Sequence, residues 1–507
     1  MKRVVIIGGG VSGLAAAHRL IERGHASGKR VDLTLLEASG RSGGIVQTHE
    51  RDGFLLESGP DSFISEKPAA VDLVKRLGLE SHLIETNEHH RRSFIVRQGR
   101  LLPVPEGFHL LAPSRFWPFV KSDIFSWRGK ARVALDLLLP RRQENGSNSD
   151  ERLAQFVRRR LGNEALERMA QPMVGGIYTA DPEQLSLRAT MPRFLEMERD
   201  HRSLIRALRK PGRSPRVSKG SVPTNADSET SGARYSLFLS FDGGMQVLTG
   251  KLEERISNFR SQMSAGVGSA QTSIRLNTAV DSIALEPTSP GTDSLPKWQL
   301  KTNGNETLVA DAICLALPAY VSARLLKDLD PQLAAELAGI SYASSATINL
   351  AYKREDIPHP LDGFGFVVPF IEKRTLIACT FSSVKFAGRA PQGHALLRAF
   401  VGGALQPELF EQSEAELLSR LREDLRELLG IERAPLFAEV SRWERSMPQY
   451  HIGHLERVKR IEERVASLPG LVLAGNAYSG PGLPDCIRSG ESAADLIEEL
   501  LAADSHG

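Results

Sequence analysis

The chain has 507 residues, 41% apolar and 25% charged, an ordinary composition for a folded protein and long enough for two or three domains with their own cores. A net charge of +3 is too small to argue for nucleic acid, and no run of about 18 uncharged apolar residues suggests a spanning helix. Cys314, Cys379 and Cys486 are widely spaced with no C-x-x-C, so neither a disulfide framework nor a metal site is expected, and a reducing cytoplasm fits.

Lys2-Arg3 and the apolar run behind them have the outline of a signal peptide, but the glycines inside that run argue for a strand and turn instead. Val4 to Ile7 reads as a buried strand. Gly8, Gly10 and Gly13 give G-x-G-x-x-G around Gly9, Val11 and Ser12, followed by an alanine- and leucine-rich helix. Such a turn presents free backbone N–H groups and the positive helix end to a pyrophosphate. A second strand, Val31 to Leu36, ends at Glu37, where a carboxylate can hold ribose hydroxyls and repel the extra phosphate of NADP. Ala38 to Ile45 follows, with Arg41 offering a planar fork to phosphate and Gly43-Gly44 letting the backbone pass close to a cofactor. Asp52 to Glu57 reads as a turn and strand, Ser58-Gly59-Pro60-Asp61-Ser62-Phe63 as a loop, and residues 71–79 as a short helix.

Residues 93–105 alternate as a hairpin with a basic edge. In residues 108–142, Phe108, Phe116, Trp117, Phe119, Phe125 and Trp127 interleave with Arg115, Lys121, Arg128, Lys130 and Arg132. That pattern suits an interfacial membrane contact, the mouth of a pocket for a flat acidic ligand, or a helical subdomain with a solvated basic face. A polar linker at 141–149 precedes a helix over about 151–161, a glycine-bearing loop at 172–178 and a helix over roughly 191–208. Residues 211–234, rich in Pro, Ser, Gly and Lys, read as a disordered insertion. Order resumes near residue 237, with Gly243-Gly244-Met245 opening a helix to about residue 258. Residues 276–283 read as a strand whose Val280 can meet an adenine edge, and residues 311–317 as another strand of the parallel sheet.

From residue 347 to 404 the period becomes two, with Ile348, Leu350 and Tyr352 on one face, which predicts an antiparallel sheet. Ser413 and Glu416 form a capping box for a helix with a leucine stripe that ends at Gly430. Near the C-terminus, a strand enters a second glycine loop at Gly475, and Gly482-Leu483-Pro484 opens the final helix. Backbone N–H groups there can meet the electron-rich pyrimidine end of a flavin. Glycine loops at both ends of the chain are hard to explain with NAD alone; FAD is long enough to need both.

Gly59-Pro60-Asp61-Ser62-Phe63, Gly243-Gly244-Met245, Arg442-Trp443, Met447-Pro448-Gln449-Tyr450 and Gly482 to Gly490 together resemble the porphyrinogen oxidases of haem biosynthesis, within the amine-oxidase-like FAD superfamily. Ile45 stands where amine oxidases usually carry a second arginine after the glycine pair. The resemblance implies α/β plus α+β architecture. A Rossmann-like FAD-binding domain would be built from 1–92, 235–318 and 440–507. A helical membrane and substrate-access subdomain would occupy 93–210, and an antiparallel-sheet substrate domain 319–439. It implies one noncovalent FAD held by Gly8 to Gly13, Glu37, Ala38, Arg41, Gly44, Gly59, Pro60, Asp61, Ser62, Val280, Trp443, Gly475, Gly482, Leu483 and Pro484. A flat substrate would be lined by Gly176, Phe364, Val367 and Phe386, with Arg92 as a candidate propionate anchor.

The implied reaction is O2-dependent, six-electron oxidation of a porphyrinogen to a porphyrin with release of H2O2, with no catalytic protein base expected. Coproporphyrinogen III and protoporphyrinogen IX both remain open as substrates. An amine oxidase or carotenoid desaturase is the alternative enzyme, and a porphyrin-binding carrier with structural FAD the alternative of another class. The expected setting is cytoplasmic, with peripheral contact at the inner face of the membrane left open, as a monomer or homodimer.

Overall fold

The structure, a computed structural model, describes residues 1–28, 31–142, 150–209, 238–262, 271–286 and 296–503. The expected insertion at 211–234 and most of the 141–149 linker lie outside the described residues.

Strands Thr272–Arg275, Val31–Leu36, Lys2–Ile7, Ala312–Leu315 and Leu471–Leu473 form one parallel sheet in that order. Their apolar residues face a core shared with helices Val11–Ser27, Gln246–Gln262 and Leu483–Ala503 on one side, and with Ala319–Leu326 and Pro331–Ala338 on the other. Burial on both faces is why these strands read as continuous apolar runs. The strand expected over 276–283 starts only at Val280, and a separate strand precedes it. Thr272–Arg275 joins the parallel sheet, and after a turn at Asn277 (φ +54°) Val280–Glu286 starts a small antiparallel sheet.

The second large sheet has seven strands in the order Phe437–Pro448, Tyr342–Lys353, His394–Gly402, Ala378–Phe381, Gly365–Val367, Phe94–Arg97 and Arg100–Pro103. Ile348, Leu350 and Tyr352 are fully buried against helix Glu414–Leu429. That helix carries the expected capping box at Ser413 and Glu416, and Gly430 ends it in the left-handed region. Two expected boundaries move here. The hairpin Phe94–Arg97 and Arg100–Pro103, read with the helical stretch 93–210, extends this sheet through parallel pairing of Phe94 with Phe366 and Ile95 with Val367. Strand Phe437–Pro448, which carries Trp443, runs across the expected 439/440 boundary and pairs with Tyr342–Lys353.

The helices between residues 116 and 209 build a third core around Phe156, Met169, Leu185 and Phe194. Residues 172–178, read as a loop, are helical over Gln171–Tyr178, continuing a helical run from Asn163 whose Met169 and Val174 are buried. The helix expected over 191–208 breaks at Arg202 (φ +63°) into Pro192–His201 and Leu204–Arg209, with Asp136 accepting from the Ser203 hydroxyl and the Ile205 N–H. The aromatic residues of 108–127 divide: Phe119 and Phe125 are buried beside Phe108, whereas Phe116, Trp117 and Trp127 are exposed. No helix among the described residues is long and apolar enough to cross a membrane.

Candidate functional site

A continuous backbone track runs across the C-terminal ends of the parallel strands. Lys2–Ile7 ends at Gly8 (φ +110°), whose N–H donates to the Leu36 carbonyl at 2.8 Å. A methyl group at Gly13 would lie 1.9 Å from the Gly8 carbonyl oxygen, so only glycine lets the following helix descend onto the loop. The helix starts at Val11 behind Gly10, with no side-chain cap and no acidic residue in its first turn. Its dipole end is therefore available to an external anion. The Gly43 N–H donates to the Gly9 carbonyl at 2.8 Å, and a Cβ on Gly44 would come within 3.1 Å of Gly10 Cα. Arg41 is held at the rim of this loop, donating to the carbonyls of Ser42 and Val46 at 3.1 Å each and to that of Gly44.

Glu37 follows the neighbouring strand and lies beside the glycine turn. Its carboxylate accepts from the Gly9 N–H at 2.7 Å and the Ser39 N–H at 2.8 Å, beside the exposed Ala38. The Thr278 N–H donates to the Glu37 carbonyl at 2.8 Å, which brings the chain leading to Val280 against the same turn.

The opposite end of the track is gripped by the antiparallel sheet. Residues that alternate with the buried Ile348 and Leu350 point the other way. The Thr347 hydroxyl donates to the Ser58 carbonyl at 2.6 Å, and the Asn349 amide to the Glu57 carbonyl at 3.0 Å. The Trp443 indole N–H donates to the Ser58 carbonyl at 2.8 Å, and Arg398 to that of Gly59. A Cβ on Gly59 would sit 1.7 Å from the Ile45 oxygen, so the 58–62 and 41–46 loops are in direct contact.

Beyond Pro60, Asp61 accepts from Lys385 Nζ at 2.9 and 3.0 Å and from the Ser62 hydroxyl at 2.7 Å, with Arg398 at 3.9 Å. Burial works to raise the Asp61 carboxyl, but Lys385 and Arg398 outweigh it and hold the group far below the ordinary carboxylate range. Glu57, two residues before Gly59, is the reverse case. Burial pushes it up to about 7, against hydrogen bonds from the Thr48 hydroxyl and the Met245 N–H and the charges of Arg398 and Arg389.

The C-terminal loop completes the track. Gly475 (φ +134°) donates its N–H to the Ser489 hydroxyl at 3.0 Å. Gly482, Leu483 and Pro484 lead into the last helix, where the Asp485 carboxylate pairs with Lys67 and Arg488. That helix crosses the first one at Gly490, where a methyl would be 2.1 Å from the Ser12 carbonyl oxygen. The uncapped helix start, the glycine track, the carboxylate of Glu37 beside it and the second glycine loop fit FAD.

Among the expected substrate residues, Gly176 and Val367 meet: a Cβ on the exposed Gly176 would lie 3.8 Å from Val367 Cγ1. Phe364 is buried, its N–H donating to the Arg92 carbonyl at 2.8 Å. Phe386 is 1% exposed and packs under the cations of Lys385 and Arg389, at 5.0 and 5.6 Å. Arg92 is half exposed and paired with Asp362, and Arg91 with Glu85 and Glu88, so both guanidinium groups already face carboxylates. Sequence reasoning missed Lys385, Arg398 and Glu57. The available signal was an arginine inside the otherwise apolar run 395–401.

The family model described as "Flavin containing amine oxidoreductase" matches residues 11–498. The chain is 37% identical to the coproporphyrinogen III oxidase of Propionibacterium freudenreichii, covering 99% of this chain and 92% of the relative. It is 33% identical to the coproporphyrinogen III oxidase of Bacillus subtilis, covering 99% of each. Among solved structures, a protein from Exiguobacterium sp. 255-15 assigned to the protoporphyrinogen oxidases superposes with a TM-score of 0.79 at 32% identity, over 98% of this chain and 99% of that one.

Proposed function

From the premise that the chain belongs to the family of flavin containing amine oxidoreductases, we propose that it oxidises a porphyrinogen of haem biosynthesis to the porphyrin, with coproporphyrinogen III as its substrate. The observation that carries this reading is the end-to-end likeness, at 33 to 37% identity, to enzymes named coproporphyrinogen III oxidase. When bound, FAD supplies two-electron acceptance and reoxidation by O2, so three turnovers remove six electrons and six protons and release three H2O2.

The chain's own residues bind, orient and exclude. Glu37 holds the ribose, and the Gly8–Gly13 turn and Arg41 hold the pyrophosphate. The Gly59 loop, fixed from below by Thr347, Asn349, Trp443 and Arg398, carries the flavin end. Gly176 and Val367 form one side of the substrate slot, with Phe364 and Phe386 as its apolar lining. The reaction needs one methylene carbon held against the cofactor in a water-poor slot, which is a positioning task. Pyrrole N–H groups release the protons, and imine–enamine exchange moves them within the macrocycle, so no protein base is assigned.

A second reading, protoporphyrinogen IX delivered at a lipid surface, is favoured by the exposed Phe116, Trp117 and Trp127 among basic residues. Anaerobic mixing with each porphyrinogen in turn, followed through the oxidised flavin band at about 450 nm, separates the two. Rapid bleaching by coproporphyrinogen III, with porphyrin fluorescence when air is admitted, is the expected result. Faster bleaching by protoporphyrinogen IX moves the assignment to the second reading. Flavin bleached by neither defeats the oxidase and favours a carrier.

A further inference from the structure

The motif Met447-Pro448-Gln449-Tyr450 has no part in the site described above, yet it lies where three parts of the molecule meet. Tyr450 is 2% exposed. Its hydroxyl donates to the Asn476 carbonyl at 2.5 Å and accepts from the Gly480 N–H at 2.7 Å. One side-chain oxygen thus bridges two backbone groups of the C-terminal glycine loop. That loop has Gly475 at φ +134° and Gly480 at φ +131°, in a region that other residues rarely adopt. Glycine loses the most conformational freedom on ordering, so such a loop needs an outside constraint to keep one shape.

The ring supplying the constraint is itself fixed. It stacks on the His454 imidazole at 4.0 Å between centroids and 12° between planes, and the Ser186 N–H donates to the Tyr450 carbonyl at 2.8 Å. Burial lowers His454 to about 4, so the stack stays uncharged at neutral pH. The neighbouring Gln449 donates its amide to the Tyr178 carbonyl at 3.2 Å, at the end of the helix that carries Gly176.

We propose that Tyr450 is a positioning residue for the cofactor: its hydroxyl latches the 475–482 loop in the shape that receives the flavin end of FAD, and Gln449 ties that latch to the helix bearing Gly176. The proposal rests on the assignment of this loop to the flavin in the proposed function. It predicts that the loop, rather than the fold, depends on the hydroxyl.

The test is Tyr450→Phe, which keeps the ring and its stack on His454. Apo-protein is titrated with FAD by flavin fluorescence, and backbone hydrogen exchange of apo-protein is measured by mass spectrometry. Loss of two hydrogen bonds is expected to weaken FAD binding about tenfold, with faster exchange confined to peptides covering 475–482 and exchange in the rest of the molecule unchanged. FAD affinity within about twofold of wild type, or faster exchange spread through the whole molecule, overturns the latch. Wild-type protein that binds no FAD overturns the cofactor assignment and the latch with it, and is told apart because it shows before any variant is made.

Discussion

Replacing Gly490 by alanine sets two effects of known sign against each other. In a helix interior alanine is favoured over glycine by about 1 kcal/mol. At Gly490, however, the new methyl would be 2.1 Å from the Ser12 carbonyl oxygen and 3.1 Å from the Ala16 nitrogen, whereas ordinary van der Waals contact begins at 3.4 Å. Both neighbours are backbone of the first helix, so no side chain can rotate away and the two helices must part by about 1 Å. Overpacking of this kind costs about 1 to 3 kcal/mol. Ser12 lies in the first turn of the uncapped helix Val11–Ser27, proposed to receive the pyrophosphate, and Gly490 in the second turn of the helix opened by Gly482-Leu483-Pro484. The displacement therefore widens the glycine track proposed to hold the cofactor. The net is a loss of about 0 to 2 kcal/mol, which, felt at the cofactor, corresponds to up to roughly thirtyfold weaker FAD binding, read by titrating apo-protein with FAD. Gly250→Ala is the control. It lies exposed within helix Gln246–Gln262 with no atom within 4 Å of the added methyl, and should stabilise by about 0.5 to 1 kcal/mol. If Gly490→Ala matches wild type in FAD affinity and melting temperature, the contact is softer than the backbone geometry requires and the reasoning fails.

Glu57→Gln should flatten the pH dependence of stability. With its folded-state carboxyl raised to about 7, above the unfolded value, the contribution of Glu57 to wild-type stability is fully present at acid pH and is lost as pH rises through 7, by up to about 3 kcal/mol. Glutamine can accept from the Met245 N–H and donate to Thr48 without the charge, so melting curves from pH 5 to 8 should diverge upward for the variant; parallel curves refute the assignment. Phe364→Ala should lower turnover while FAD stays bound, and unchanged steady-state kinetics with coproporphyrinogen III would remove Phe364 from the slot. Trp127, 73% exposed with Lys130 Nζ 4.4 Å above its ring, should matter for adsorption to anionic vesicles. Trp127→Ala and added salt should each reduce co-sedimentation with phosphatidylserine-containing vesicles, and equal partitioning of variant and wild type would dismiss the lipid contact.

The parts of the site that could be read from residues alone are those whose cause is local. Gly8, Gly10 and Gly13 sit between a strand and a helix within one short segment, and Glu37 ends the next strand, so spacing and chemistry coincide. The Ser413–Glu416 cap and the alternation of Ile348, Leu350 and Tyr352 are legible for the same reason. What escaped depends on partners far along the chain. The hairpin at Phe94 joins the second sheet by pairing with Phe366, and nothing within the hairpin announces that partner. Lys385, Arg398 and Asp61 form one charged cluster from three separate segments. An arginine between apolar neighbours signals an unusual site without naming its counter-ion. Gly175-Gly176 suggested a loop because helix propensity weighs against paired glycines; burial of Val174 and Met169 in the helical core overrides it.

Strand Tyr342–Lys353 has a consequence for how this protein can change. Its even-numbered residues Ile348, Leu350 and Tyr352 fill the core under helix Glu414–Leu429, while Thr347 and Asn349 hold the Ser58 and Glu57 carbonyls. Deleting or inserting one residue in this strand would exchange the two sets, pressing hydroxyl and amide groups into the core and leucine against the loop. Substitutions can be absorbed one at a time on either face, but a change of length cannot. Length variation among relatives is therefore expected to stop at the ends of this strand and to accumulate in the connections outside it.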